Sequence, residues 1–251
     1  MSEWDLNINY GIKTGFNDAF IISAEKRAEL IKEDPKSAEI IRPILRGRDI
    51  KRYGYTYAHL YIIALFPSKH YDIEDYPAVK SYFLNEFGVE RLEQTGKTHL
   101  VNGATIKARK KTSNKWFETQ DSISYWDDFS KQKIVYREIS DAMNACLVEP
   151  DIYLNNKCYL ITGEHLVYLL SIFNSVLFTK IIMREANVTG GKGVDFLSKI
   201  RIPAPSMDME AKFIALYEQR QAGIADDLAI DELVYQIFNI SNQERNAIEA
   251  M

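Results

Sequence analysis

Cysteine is almost missing from this chain: Cys146 and Cys158 are the two in 251 residues. That is too few for a disulfide framework, and the four histidines, at positions 59, 70, 99 and 165, show no metal-ligand spacing with them. Both thiols are expected as buried apolar groups in a reducing compartment. Long hydrophobic runs are also absent. The stretch from His59 to Phe66 is far shorter than the roughly 18 apolar residues that suggest a membrane span, and residues 1 to 15 lack the apolar core of a signal peptide. A soluble, cytoplasmic protein without a membrane partner is predicted. There is no excess of positive charge either, since 31 Lys and Arg stand against 35 Asp and Glu, net -4. Internal repeats and low-complexity tracts are not seen. What the chain does have is apolar material, 46% of its residues, enough for a substantial core in one large domain or two modest ones.

The total charge conceals an asymmetry. Residues 1 to 120 hold 19 Lys and Arg against 16 Asp and Glu, whereas residues 121 to 251 hold 12 against 19. The basic excess lies in two patches. From Thr105 to Phe117 come Lys107, Arg109, Lys110, Lys111 and Lys115 with no acidic residue, ending on the aromatic pair Trp116 and Phe117. Arg42, Arg46, Arg48, Lys51 and Arg52 form the second patch, opposed only by Asp49. Like charges at this density repel unless they are solvated or meet a polyanion. Nucleic acid phosphate suits them, because the attraction is local and screened within about 10 Å at 0.1 M salt.

The pattern of residues reads as α+β. Ser23 can cap a helix from Ala24 to about Lys32 that Asp34-Pro35 stops. A second helix starts at Pro77, where a missing N–H costs nothing, with Val79, Phe83 and Phe87 on one face. Tyr55 to Phe66 has strand composition. Further strands are expected at Lys133–Ile139, Ala145–Glu149, Ile152–Leu154 and Cys158–Thr162, with Asn155-Asn156 as a hairpin turn. Thr162 can cap a long buried helix to about Ala186, carrying Leu166, Leu169, Leu170, Phe173, Leu177 and Ile181 at three- and four-residue spacing. A glycine-rich break, Asn187 to Gly193, follows. Beyond Pro205 an acidic helical tail is predicted, with Leu233, Ile237 and Phe238 as an apolar stripe and Ser241 with Glu244 in capping-box spacing. The chain thus divides into a β-rich body, residues 1–206, and a small helical tail, 207–251, packing on it.

Catalytic machinery is hard to find. Thr189-Gly190-Gly191-Lys192-Gly193 lacks the spacing and the magnesium-binding hydroxyl of a phosphate loop, which leaves a turn that touches one phosphate through Lys192. Pro150-Asp151 with Lys157 hints at a nuclease carboxylate pair, but Asn155 stands where a second carboxylate is needed. No histidine or cysteine has a neighbouring partner suggesting a nucleophile and base.

The segments Ile8-Asn9-Tyr10-Gly11-Ile12-Lys13-Thr14-Gly15-Phe16-Asn17-Asp18-Ala19-Phe20 and Arg42-Pro43-Ile44-Leu45-Arg46-Gly47-Arg48-Asp49-Ile50 resemble the opening of the TaqI-like C-terminal specificity domain. Asn114-Lys115-Trp116-Phe117-Glu118, Lys133-Ile134-Val135, Leu170-Ser171-Ile172-Phe173-Asn174-Ser175 and Ile200-Arg201-Ile202-Pro203-Ala204-Pro205 are similar to its later landmarks, and Ile230-Asp231-Glu232-Leu233-Val234-Tyr235 to its tail. The resemblance spans nearly the whole chain in order. It implies a DNA target-recognition domain of a type II restriction-modification system, non-catalytic by itself. Such domains accompany an adenine-specific DNA methyltransferase, in cis or as a partner subunit. Neither the Asn-Pro-Pro-aromatic motif that holds a flipped adenine nor a glycine-rich S-adenosylmethionine loop occurs in this sequence, so that cofactor is expected in the catalytic half and none in this segment.

On that resemblance, Arg46, Arg48, Lys51, Arg52, Lys107, Arg109, Lys110 and Lys111 are expected to contact phosphates of double-stranded DNA and set register. Lys13 and Thr14, between the turn glycines Gly11 and Gly15, approach a phosphate too. Lys115, Arg109 and Lys13 are candidates for guanine edges, and Asn114 or Asn17 for adenine. Trp116 is expected to anchor the basic loop in the core. Two rival classes remain open: a protein-docking module, and a magnesium-dependent nuclease built on Asp151.

Overall fold

The structure, a computed structural model, describes residues 4–138, 142–182, 197 and 200–251. Its architecture is α+β, arranged around two four-stranded sheets whose facing sides share a core. The first sheet has the order β1 (Leu6–Tyr10), β12 (Cys158–Gly163), β9 (Lys133–Arg137), β10 (Cys146–Val148), all antiparallel. The second has the order β11 (Tyr153–Leu154), β3 (Ile41–Leu45), β6 (Leu60–Ile63), β2 (Ile21–Ser23), with β11 parallel to β3 and the rest antiparallel. Two short ribbons complete the strands: β4 (Ile50–Lys51) with β5 (Gly54–Tyr55), and β7 (Thr98–Val101) with β8 (Ala104–Lys107).

Strand alternation sorts the cores. Val135, Cys146 and Leu160 point to the core between the sheets, where they meet Ile44, Ile62 and Leu154. Ile134, Tyr136 and Ile161, one residue out of phase, face the helical layer of α5 (Leu166–Phe173), α6 (Met207–Gln221), α7 (Asp227–Ile237) and α8 (Asn242–Glu249). On the far side of the second sheet, Ile22, Ile41 and Ile63 pack against α1 (Asn17–Phe20), α2 (Ala24–Glu33), α3 (Pro77–Glu86) and α4 (Val89–Leu92) through Phe20, Leu30, Phe83 and Leu92. The result is helix, sheet, sheet, helix. Phe213, Val234 and Tyr235 of the acidic tail share one core with Tyr168 and Phe173 of α5. Both cysteines are buried free thiols, and burial raises both, Cys146 to about 12.

Several local expectations hold in detail. Ser23 accepts from the Lys26 amide at 3.2 Å at the start of α2, Pro77 opens α3, and Ser241 and Glu244 form a reciprocal capping box on α8. Others are corrected. The strand expected over Tyr55–Phe66 is two pieces, β5 and β6, separated by a bend in which His59 takes a left-handed φ of 53°. Asn155-Asn156 is a turn but not a hairpin: the strand before it, β11, runs parallel to β3 in the second sheet, while the strand after it, β12, belongs to the first. Thr162 is a strand residue whose hydroxyl donates to buried Asp128, and α5 begins after His165. The long helix is broken at Asn174. That side chain clasps Ala145 at the entrance of β10, accepting from its N–H and donating to its C=O, each at 2.9 Å. Asp231 of α7 then accepts from the Val176 amide, and the chain continues through a π-helical turn, Phe178–Ile182. The end of the expected helix at Ala186, the end of the expected strand at Ile139 and the break Asn187–Gly193 lie outside the described residues.

Candidate nucleic-acid interface

The first basic patch is built around a cation that the sequence does not distinguish from its neighbours. Arg109 is 3% exposed, so its role as a phosphate or guanine contact is corrected. Its guanidinium donates to four main-chain carbonyls: Leu92 at 2.6 Å, Thr14 and Glu118 at 2.8 Å, and Trp116 at 2.6 Å. Its carbon lies 5.0 Å from the centre of the Phe20 ring. Burial lowers its pKa to about 10, partly opposed by Glu118. The fork ties together the end of α4, the loop after Gly11 and the turn at Trp116, since a planar guanidinium can hold several carbonyls at fixed angles.

Buried Gln94 does similar work, donating to the carbonyls of Lys115 and Glu118 at 3.1 Å and accepting from Thr112 at 2.9 Å. Asn114, expected at an adenine edge, is engaged on the same frame: its amide donates to the carbonyls of Thr119 and Gln120. Trp116 anchors the loop, half-buried against Phe83 and Phe117.

On this frame the remaining cations stand outward. Lys107, Lys110, Lys111 and Lys115 are exposed, the last with its ammonium 5.4 Å from the Phe117 ring centre. Lys13, also exposed, joins them, because its carbonyl accepts from the amides of Gln120 and Asp121 at 3.1 and 3.2 Å. Asp121 feels both Lys13 and Lys110, which hold its carboxyl down against the larger upward effect of burial. Among the described residues none of Lys13, Lys107, Lys110 and Lys111 is in an ion pair. Thr14, by contrast, is buried and bonds Asn17 at 2.8 Å, so its expected phosphate contact is corrected. Asn17 is exposed.

The second patch is partly consumed by the fold. Arg46 makes a two-pronged pair with buried Asp49 at 2.8 and 2.9 Å. Arg52 reaches into the tail, where it donates to the Asn174 carbonyl at 2.6 and 3.0 Å and pairs with Asp227. Where a phosphate contact was expected, its guanidinium is engaged in pinning α7 to the body. Arg48 and Lys51 stay exposed. Lys192 lies outside the described residues.

The two patches meet at the turn after β11. Asn155 accepts from the amides of Gly47 and Lys157 through its side-chain oxygen. On the other side, Ile12 donates to the Leu154 carbonyl at 2.7 Å and the Asn156 amide to Ile12 at 3.0 Å. A Cβ on Gly11 would sit 2.0 Å from the Asn155 carbonyl oxygen, and one on Gly47 2.9 Å from that of Lys157. Both glycines are required by close approach. Thus the segments that carry Arg48, Lys157 and Lys13 meet at this turn, and Asp121 is close to both Lys13 and Lys110. Gln94 and Asn155 were missed as positioning residues because their partners lie up to 108 residues away. The β7–β8 hairpin was missed too, although Asn102-Gly103 is a direct signal for it.

As for a nuclease centre, Asp151 occupies a left-handed turn (φ 64°), and the described residues contain no group of three metal-ligating side chains. No helix among them is long and apolar enough to cross a membrane.

Residues 42–196 match the family of the TaqI-like C-terminal specificity domain. The match covers more than half of the chain, and the chain belongs to this family. The structure of the Type IIL restriction-modification enzyme MmeI in complex with DNA is similar over 98% of this chain and 36% of that one, with a TM-score of 0.59 and 13% identity. The type IIG restriction endonuclease BpuSI is similar over 93% and 30%, with a TM-score of 0.47 and 13% identity. At such identity the likeness to MmeI is one of fold, and the chain spans 36% of that enzyme's length. No curated protein sequence matches the chain.

Proposed function

We propose that this chain recognises double-stranded DNA as the specificity domain of a type II restriction-modification system, and that an adenine-specific DNA methyltransferase domain, in cis or as a partner subunit, supplies the chemistry. S-adenosylmethionine belongs to that catalytic domain. The observation that carries the reading is the set of exposed, unpaired lysines, Lys13, Lys110 and Lys111, held on a frame fixed by one buried arginine. Solvation alone does not require so rigid a mounting. A phosphate backbone does, because phosphate contacts set the register in which bases are read. Arg48, Lys51 and Lys115 extend the same surface. Exposed Ile224, in the turn between α6 and α7, and exposed Leu228, in the first turn of α7, suit contact with the catalytic domain.

Binding of the chain to random-sequence duplex at 50 and 200 mM salt, with and without magnesium, tests the proposal. The expected result is binding that falls steeply with salt, on the order of a hundredfold or more for several phosphate contacts, without cleavage. The Lys110→Glu, Lys111→Glu double variant should lose that binding while melting at the wild-type temperature. Undiminished binding by a folded double variant would overturn the assignment of the surface, and magnesium-dependent cutting would replace the recognition module with a nuclease.

A further inference from the structure

The hairpin formed by β7 and β8 has two unlike faces. On one, His99 bonds Glu93 at 2.6 Å and Ile106 lies opposite it. On the other, Thr98 pairs with Lys107 and Leu100 with Thr105, and all four are exposed, Leu100 to 78%. The turn residues Asn102 and Gly103 both have positive φ, 51° and 80°, the geometry of a tight turn that follows the strand twist. At its base the ribbon is fixed. The Ala108 amide donates to Lys97, Gly96 to Arg109 and Arg109 to Glu93, while Arg91 holds the Lys107 carbonyl. A cleft of about 510 Å³ lies between β8 and the body, lined by Phe16, Glu86, Phe87 and Arg91 together with Thr105, Ile106 and Lys107.

An exposed leucine on a ribbon fixed at its base, with no partner among the described residues, calls for an occupant. The charge names it. From Lys97 through Lys115 there is no acidic residue, and Lys110 and Lys111 follow directly on the ribbon's fixed base. Two strands about 5 Å apart and about 14 Å long fit a major groove about 12 Å wide and 8.5 Å deep.

We propose that the β7–β8 hairpin enters the major groove and that Leu100, Thr105 and Lys107 on its exposed face determine which bases are accepted. This rests on the DNA-binding reading above. Lys107 matches the acceptor edge of guanine, and Leu100 with the Thr105 methyl group matches the thymine methyl. Asn102 at the tip has the donor and acceptor pair for adenine. Lys110 and Lys111 then lie where the ribbon leaves the groove and meets the phosphates.

The test is selection of binding sites from a random duplex pool by the chain and by its Leu100→Ala, Thr105→Ala double variant, whose charge is unchanged. The expected result is a preferred sequence for the wild type that degenerates at one or more positions in the variant, by about tenfold in selectivity, with binding to random duplex the same within about twofold. An unchanged preference in the variant would overturn the inference. So would salt-sensitive binding by the wild type without any preferred sequence, although DNA binding itself would stand. Failure to bind duplex at all would overturn both readings and leave the ribbon to a protein partner. Equal melting temperatures of the two proteins exclude an effect through the fold.

Discussion

Arg109 and Lys133 are cations that the fold uses internally, and each makes a different demand on stability. Arg109 neutralises no carboxylate; it satisfies four carbonyls from three separate segments. Arg109→Ala leaves those acceptors buried without a donor and should cost about 3–5 kcal/mol in urea unfolding. Arg109→Lys keeps the charge but loses the planar fork, and should recover only part of it. Nothing in the sequence marks Arg109 off from Lys110, because the Thr14 carbonyl that it holds is 95 residues away. Lys133, on β9, is fully buried and donates at 2.9 Å to the carbonyls of Phe129, Lys131 and Glu149. Burial pulls its ammonium down from 10.5 to about 8. The unfolded chain therefore holds more protons than the folded one between about pH 8 and 10.5, and stability contributed at this position rises with pH across that window. Below pH 8 the full cost of burying the charge persists. Denaturation of the wild type and Lys133→Met at pH 7 and 9.5 should show the wild type gaining on the variant at the higher pH, other titrations cancelling in the comparison.

Elements were legible where the signal is local and illegible where a distant partner decides. α2 and α8 carry their caps in their own sequence, and both form as read. The helix expected from Thr162 has an uninterrupted apolar pattern across Asn174, but that side chain is captured by Ala145 and the helix stops. Asn174→Ala should destabilise the protein by about 2–4 kcal/mol, since a buried N–H and C=O both lose their partner. A buffer-exposed break would lose almost nothing. The turn at Asn155 shows the same limit: its residues announce a turn, whereas which strands it joins depends on Gly11 and Gly47 lying against it. Gly11→Ala puts a methyl group 2.0 Å from the Asn155 oxygen, so the turn must shift. The variant should melt lower and, because Lys13 and Arg48 flank that turn, bind duplex DNA more weakly than its loss of stability alone would bring. Titration well below the melting temperature separates the two effects.

At the scale of the molecule the puzzle is an acidic protein with a proposed DNA-facing surface, and its solution lies in which cations are free. Of the two basic patches visible in the sequence, the fold withdraws Arg109, ties Arg46 to Asp49 and gives Arg52 to the tail. Lys13, Lys107, Lys110, Lys111, Lys115, Arg48 and Lys51 remain exposed. Composition therefore locates the two basic patches but overstates how many of their cations stand free at the surface. Counterion release reads the difference directly, since each phosphate neutralised adds about 0.9 to the slope of log K against log salt. Lys110→Gln should lower that slope by about 1 without moving the melting temperature. Arg52→Gln should do the reverse: it loses its bonds to Asn174 and Asp227, loosens α7 from the body and lowers the melting temperature, yet leaves the salt slope unchanged. A slope that falls with Arg52 would mean that its guanidinium leaves the tail to meet DNA, and that the helical tail rearranges when the specificity surface is engaged.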